Sequence, residues 1–171
     1  ETSAQIAGTV PRGTAMQCGL RVRGIGVLIC RGVEDGGHAQ HLQVLCQRRA
    51  SNKRDFPDRW DMFVGGLARP GERIEEAAAR ELAEELGIEH TEKRLTLVGT
   101  TVDVVNKVVC CGCQVFAICV SKDQQVSTPD GEVAETRWEN IEDLRARVAA
   151  DRGEWVDSGL QVWDAIEARE D

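Results

Sequence analysis

Glu81, Glu84 and Glu85 stand at i, i+3 and i+4 inside the run GLARPGERIEEAAARELAEELGI, which extends from Gly66 to Ile88. Residues three and four apart on a helix are surface neighbours, so this spacing puts three carboxylates on one face. Like charges placed in this way repel, and the cluster calls for a compensating cation. Hard oxygen donors suit Mg2+, which prefers octahedral coordination and keeps waters or substrate phosphates in its shell. A carboxylate cluster holding such ions can neutralise a diphosphate and activate a water for attack on phosphorus. Phosphoryl transfer needs mainly positioning and charge stabilisation, which this arrangement supplies. The bland alternative for any glutamate run is a solvated acidic helix face.

The elements that must position these groups can be read around them. Ile74, Ala77, Ala78, Leu82 and Leu86 recur at three- and four-residue spacing, so 73–86 reads as an amphipathic helix. Pro70-Gly71 is a turn signal before it, and Gly87 sits where a C-cap glycine belongs. Upstream, 21–31 and 42–48 read as two strands joined through Glu34-Asp35-Gly36-Gly37-His38, and 60–66 as a short strand leading into the helix. Downstream, 95–104, 108–120 and 134–138 are strand candidates rich in Val and Thr. Segments 141–149, with Asn140 as N-cap, and 160–170 read as helices. Helices alternating with a mixed sheet make an α/β fold, an α/β/α sandwich. Residues 1–15 are small and polar and read as a flexible arm, leaving 16–171 as one domain.

The fixed positions Gly66, Glu72, Arg80, Glu81, Leu82, Glu84, Glu85, Gly87 and Ile88 fit the pattern G-x5-E-x7-R-E-U-x-E-E-x-G-U throughout, U being aliphatic. This stretch resembles the Nudix box, the signature of the Nudix hydrolase superfamily. The resemblance implies a Nudix fold and metal coordination by Glu81, Glu84, Glu85 and the Gly66 carbonyl. Glu84 or Glu85 would also polarise the attacking water. It implies that Glu72 and Arg80 are largely architectural, with Arg80 orienting the glutamates. A further carboxylate from a downstream loop commonly completes such sites, and Glu132 is the first candidate, with Glu135 behind it. The implied activity is cleavage of a diphosphate linkage in a nucleoside-diphosphate-type substrate with Mg2+, for which Mn2+ can substitute. A non-catalytic ligand-sensing Nudix domain is the alternative. Such domains usually lose box glutamates, and this chain keeps all of them.

Charge and cysteine content narrow the partners. The net charge of −8 argues against a nucleic-acid-binding surface. Six of the 29 acidic residues fall between Glu72 and Glu85. Basic residues cluster just upstream, at Arg48, Arg49, Lys53, Arg54 and Arg59. A cationic patch beside a metal site suits a small anionic substrate, a nucleoside or prenyl diphosphate; a solvated loop is the plain alternative. Trp60 or Phe63 could stack on a base, or serve as core in a chain with no Tyr. No apolar run approaches a membrane span. Seven cysteines, an odd number without scaffold spacing, favour reduced thiols and an intracellular, cytoplasmic location. Cys110 and Cys113 formally make a C-x-x-C, yet they lie in a strand pattern and read as packing rather than zinc or redox chemistry. The chain begins at Glu1, so the expectation leaves a lost targeting segment open. Dimers are frequent in the superfamily, which makes a homodimer a candidate assembly.

The flanks are similar to one Nudix branch, that of isopentenyl-diphosphate isomerase and isomerase-like hydrolases. Gln47-Arg48-Arg49 with Lys53, Pro57 and Trp60-Asp61 resembles its lead-in, and Gly131 to Trp138 resembles its "DEV-x-E-x-x-W" segment. Isomerisation needs an acid–base Cys and Glu around a metal. Here Gly65 stands at the Cys position and Leu67 at that of a metal-binding His, while Val109 and Cys111 stand at those of two glutamates. General acid–base work fails without its groups, so the hydrolase reading is preferred.

Overall fold

The computed structural model describes residues 6–35, 38–98, 101–107 and 109–169. A short helix, α1 (Arg12–Gln17), opens the described chain and buries Ala15. It therefore lies across the boundary expected between arm and domain, while residues 1–5 fall outside the described residues. Strands β1 (Val22–Asp35) and β2 (His38–Arg49) pair antiparallel, with Cys30 opposite Val44. The expected turn at Gly36-Gly37 lies outside the described residues. β3 (Trp60–Asp61) and β4 (Phe63–Leu67) split the single strand expected over 60–66: β3 pairs with β2 and β4 with β1.

The 73–86 periodicity gives α2 (Ile74–Leu86). Glu76 closes its start by accepting the backbone N–H of Arg73 at 2.9 Å. Gly87 closes its end with φ 64°, its N–H reaching Ala83 O at 3.1 Å while Ile88 N–H reaches Leu82 O. The 95–104 strand resolves into β5 (Thr96–Leu97) and β6 (Val102–Val105), both antiparallel to β7 (Cys110–Cys119). The register steps between them, so one run of β-formers becomes two short strands; residues 99 and 100 between them, and Val108 before β7, are outside the described set. β8 (Val133–Asn140) pairs antiparallel with β2 and runs directly into α3 (Ile141–Ala150). Asn140 holds the N-cap position of α3 without a capping bond; its side chain instead donates to Asp143 and accepts from Gln43. The last helix, α4 (Asp157–Glu167), starts one turn earlier than the 160–170 periodicity suggests.

The sheet runs β3-β2-β1-β7-β5 and is mixed, because β1 and β7 pair in parallel from Val22 opposite Cys111 to Cys30 opposite Cys119. One apolar layer packs Ala77, Ala78, Leu82 and Leu86 of α2 against Ile25, Val27, Ile29 and Phe116 of the sheet. The other packs Leu144 and Val148 of α3 and Leu160, Val162 and Trp163 of α4 against Val44, Phe63, Val104, Cys111 and Val115. Helices on both faces of a mixed sheet make the α/β/α sandwich. Among the described residues no helix is long and apolar enough to cross a membrane.

Candidate active site

The acidic face of α2 looks toward the end of β4, and a glycine makes that approach feasible. A Cβ on Gly66 would stand 2.2 Å from Glu81 Oε1, so any side chain there would displace the glutamate. Arg80 sits among the carboxylates. Its Nε donates to Glu72 Oε1 at 2.8 Å, its NH1 to Glu81 Oε1 at 2.7 Å and to Glu84 Oε2 at 3.0 Å, and its NH2 to Leu67 O at 3.1 Å. Arg69 adds a contact of 3.1 Å to the other oxygen of Glu84. The guanidinium fork thus ties α2 to the β4–α2 loop while fixing three carboxylates.

Burial and charge differentiate the glutamates. The Arg80 guanidinium holds Glu72 below its usual range. Burial pushes Glu81 up despite its bond to Arg80. Glu85 is 6% exposed and is pushed to about 8, first by burial and then by the like charges of Glu81 and Glu132. It accepts one hydrogen bond from Gln47 Nε2 at 3.0 Å, and the charge of Arg49 opposes the rise. Among the described residues no group of His, Cys, Asp and Glu is already drawn together as a metal cluster, since Arg80 holds the middle of the acidic group. The donor set nevertheless fits a hard divalent cation. A buried carboxylate flanked by two further carboxylates lacks the positive charge that its position demands.

Glu132 forms an ion pair with Lys53, and its backbone carbonyl accepts from Ala50 N–H at 2.9 Å, which anchors the loop before β8 to the end of β2. Of the two downstream candidates, Glu132 acts electrostatically on Glu85, while Glu135 is engaged by Arg48 at 3.2 Å. Arg48 is held by Glu135 and Asp58 and does not line the pocket described next. Trp60 does not line it either. Its ring lies under the Arg137 guanidinium at 4.1 Å and the Arg147 guanidinium at 5.2 Å, beside Trp155. That expected base-stacking ring is buried scaffold, because β8 and α3 bring in cations that no local pattern announces.

A pocket of about 160 Å3 opens from Gly66 toward the first turn of α4. Arg49 lines it, as do Gln47, Asp61, Phe56, Phe63 and Arg12. Gly65, Leu67, Val109 and Cys111 also line it, the four positions at which the isomerase comparison found acid–base and metal groups replaced. Burial raises the Cys111 thiol to about 11 and the Cys113 thiol to about 12, so neither is a thiolate near neutral pH. Asp61 is 8% exposed and pushed to about 7 by burial. Gln47, Asp61, Arg69 and Arg12 were not singled out by spacing. Gln47 and Asp61 entered only as parts of the lead-in that resembles the isomerase-like branch, without a role of their own.

With this geometry in view, the similarity to known proteins is informative. A NUDIX domain model matches residues 20–158, and the chain belongs to the Nudix family. An uncharacterized Nudix hydrolase of Pseudomonas aeruginosa is 38% identical over 82 residues, 47% of this chain and 43% of that protein. The chain thus matches less than half the length of that relative. An isopentenyl-diphosphate Delta-isomerase of Nocardia farcinica is 34% identical over 131 residues, 72% of each chain. Among solved structures, a MutT protein from Methanosarcina mazei Go1 superposes with a TM-score of 0.64 at 22% identity, covering 88% of this chain and 94% of that one, and shares the fold. Nudix hydrolases generally need divalent cations.

Proposed function

We propose that this protein is a Mg2+-dependent hydrolase, with Mn2+ as a substitute, that cleaves the diphosphate linkage of a nucleoside diphosphate joined to another moiety. The observation that carries the reading is the buried, charge-frustrated Glu85 in the acidic group with Glu81, Glu84 and Glu132, joined through Gln47 and Gly66 to a pocket that Arg49 also lines. Glu81, Glu84, Glu85 and Glu132, with the Gly66 carbonyl, would hold the cation. Bound there, the cation would neutralise the diphosphate and lower the pKa of a coordinated water. Glu84 is the exposed member of the cluster and can reach a water on the solvent side, while Glu85 takes its position from Gln47. Arg49 and Lys53 receive the negative charge of the substrate, and Arg80 keeps the glutamates in register.

Against isomerisation stands the pocket wall, where Gly65, Leu67 and Val109 supply no proton carrier and Cys111 is held protonated. The test is a panel of nucleotide sugars, dinucleotides, nucleoside triphosphates, coenzyme A and prenyl diphosphates, assayed with and without Mg2+. Cleavage of at least one nucleoside-diphosphate compound, abolished in both Glu84→Gln and Glu85→Gln, is expected. Undiminished turnover in the two variants would remove the metal assignment.

A further inference from the structure

Two buried polar side chains line the pocket. Gln47 of β2 and Asp61 of β3 are cross-strand partners, 3% and 8% exposed. The neighbours of Gln47 fix which way its amide faces. Nε2 donates to Phe63 O at 3.2 Å and to Glu85 Oε2 at 3.0 Å, both acceptors, so Oε1 is the remaining acceptor. That oxygen is buried and has no hydrogen-bond partner. Asp61 Oδ1 accepts the N–H of Phe63 at 3.0 Å, and among the described residues no cationic side chain hydrogen-bonds to Asp61. Room for Asp61 is made by Gly159 in the first turn of α4, where a Cβ would stand 2.3 Å from Oδ1. The rest of the wall is largely apolar, with Ile25, Val104 and Val162, the Phe63 ring, and the half-buried ring of Phe56. Phe56 has φ 53°, an uncommon backbone for a bulky residue and one that clusters at ligand clamps.

Gln47 Oε1 has no donor and Asp61 has only the backbone N–H groups of Phe63 and Met62; a buried acceptor and a buried carboxylate left so in a largely apolar pocket are costly unless a ligand supplies donors. A prenyl chain would cover them and supply no donor to either. A planar heterocycle with amine or ring N–H groups would pair them and lay its faces against the phenyl rings. Arg49 lines the same pocket, held by its Nε donating to Asp55 O at 3.1 Å, and its positive charge favours the ionised forms of both Glu85 and Asp61. The substrate direction follows: phosphates at Arg49 and the glutamates, the attached ring at Gln47 and Asp61.

We propose that Gln47 and Asp61 are the specificity-determining pair of this site, accepting the N–H donors of a nucleobase and so selecting a nucleoside diphosphate over a prenyl diphosphate. The direction of the ligand rests on the diphosphate hydrolase reading above. The competing role for Asp61 is positional, as a negative charge at the start of α4.

Binding without turnover separates these roles. Calorimetry with Mg2+ would compare the α,β-methylene analogues of ADP, GDP, CDP and UDP with the methylene analogue of dimethylallyl diphosphate. The best nucleoside analogue is expected to bind at least about tenfold more tightly than the prenyl one, since sites built to hydrogen-bond reject ligands lacking the donor. Asp61→Asn should weaken that nucleoside analogue by about tenfold and leave the prenyl analogue within about twofold. On the wild-type chain, methylating the N–H nitrogens of the best base should cost a similar factor, a result that does not depend on any variant folding. Equal binding of methylated and parent bases, prenyl binding as tight as any nucleoside, no nucleoside binding at all, or equal losses for both classes in Asp61→Asn would each overturn the proposal. Because no cleavage is read, a chain that binds nucleobases but hydrolyses nothing would refute the hydrolase reading and leave this pair standing.

Discussion

Two arginine clusters in this protein are built alike and balanced differently. Near Trp60, Arg137 and Arg147 lie over aromatic rings and share Glu139, and Arg147 reaches Glu154 as well, so two cations meet two carboxylates. On α2, Arg80 with help from Arg69 faces Glu72, Glu81 and Glu84, with Glu85 buried behind them. The first cluster is neutral in itself and needs nothing more, as a structural network should be. The second holds surplus negative charge in a partly buried place, which is unfavourable unless a cation comes. Charge imbalance, more than the presence of charge, separates site from scaffold.

That contrast can be broken in several places. Gly66→Ala should hurt activity most, because the new methyl group would meet Glu81 at 2.2 Å; misplacing a reacting group by this much costs about a hundredfold, read as kcat, and an unchanged kcat would show that Glu81 is not placed for catalysis. Arg80→Lys keeps the charge but loses the fork that serves Glu72, Glu81 and Glu84 together, and should lower metal affinity by about tenfold, measured by Mg2+ titration of activity. Arg147→Met in the balanced cluster should leave kcat within about twofold and lower Tm by a few degrees, roughly the scale of a lost cation–π and ion-pair network. A large kcat loss there would erase the distinction between the clusters.

A separate effect lies in pH dependence, and Asp61 sets its sign. Its folded value, about 7, lies above the unfolded value of about 4, so the folded state binds the proton more tightly. Its contribution is fully present below pH 4 and is lost as pH rises toward 7. Relative to Asp61→Asn, the wild type should therefore lose Tm between pH 4 and 7. Parallel Tm curves for the two proteins would show that burial does not move this carboxyl.

Much of the acidic cluster was legible because it is local. One helix carries Glu81, Glu84 and Glu85, its periodicity fixed α2 to within one residue, and Gly87 marked its end. Gly66 and Arg80 came with the same pattern. What was not legible depends on strands meeting at long separation. Trp60 stayed open between a base-stacking ring and core because Arg137 and Arg147 reach it only through the β2–β8 pairing and the packing of α3. Arg48 read as a substrate ligand, like Arg49 beside it, yet strand alternation gives the first to Glu135 and the second to the pocket. Gln47 and Asp61 meet only because β3 folds back onto the end of β2. The 95–104 run was rightly β-rich, but its register step against β7 depends on the partner strand and leaves no local mark.

Arg80 has one more consequence, for the order in which this protein meets its ion. In many small metal-binding domains the free energy of metal binding is the free energy of folding, and a chelator unfolds them. Here a resident guanidinium already spans Glu72, Glu81 and Glu84, and the two apolar layers close without help from the acidic face. Under the proposed metal assignment the chain is expected to finish folding empty-handed, with an internal cation keeping the carboxylates apart until the diffusible one arrives.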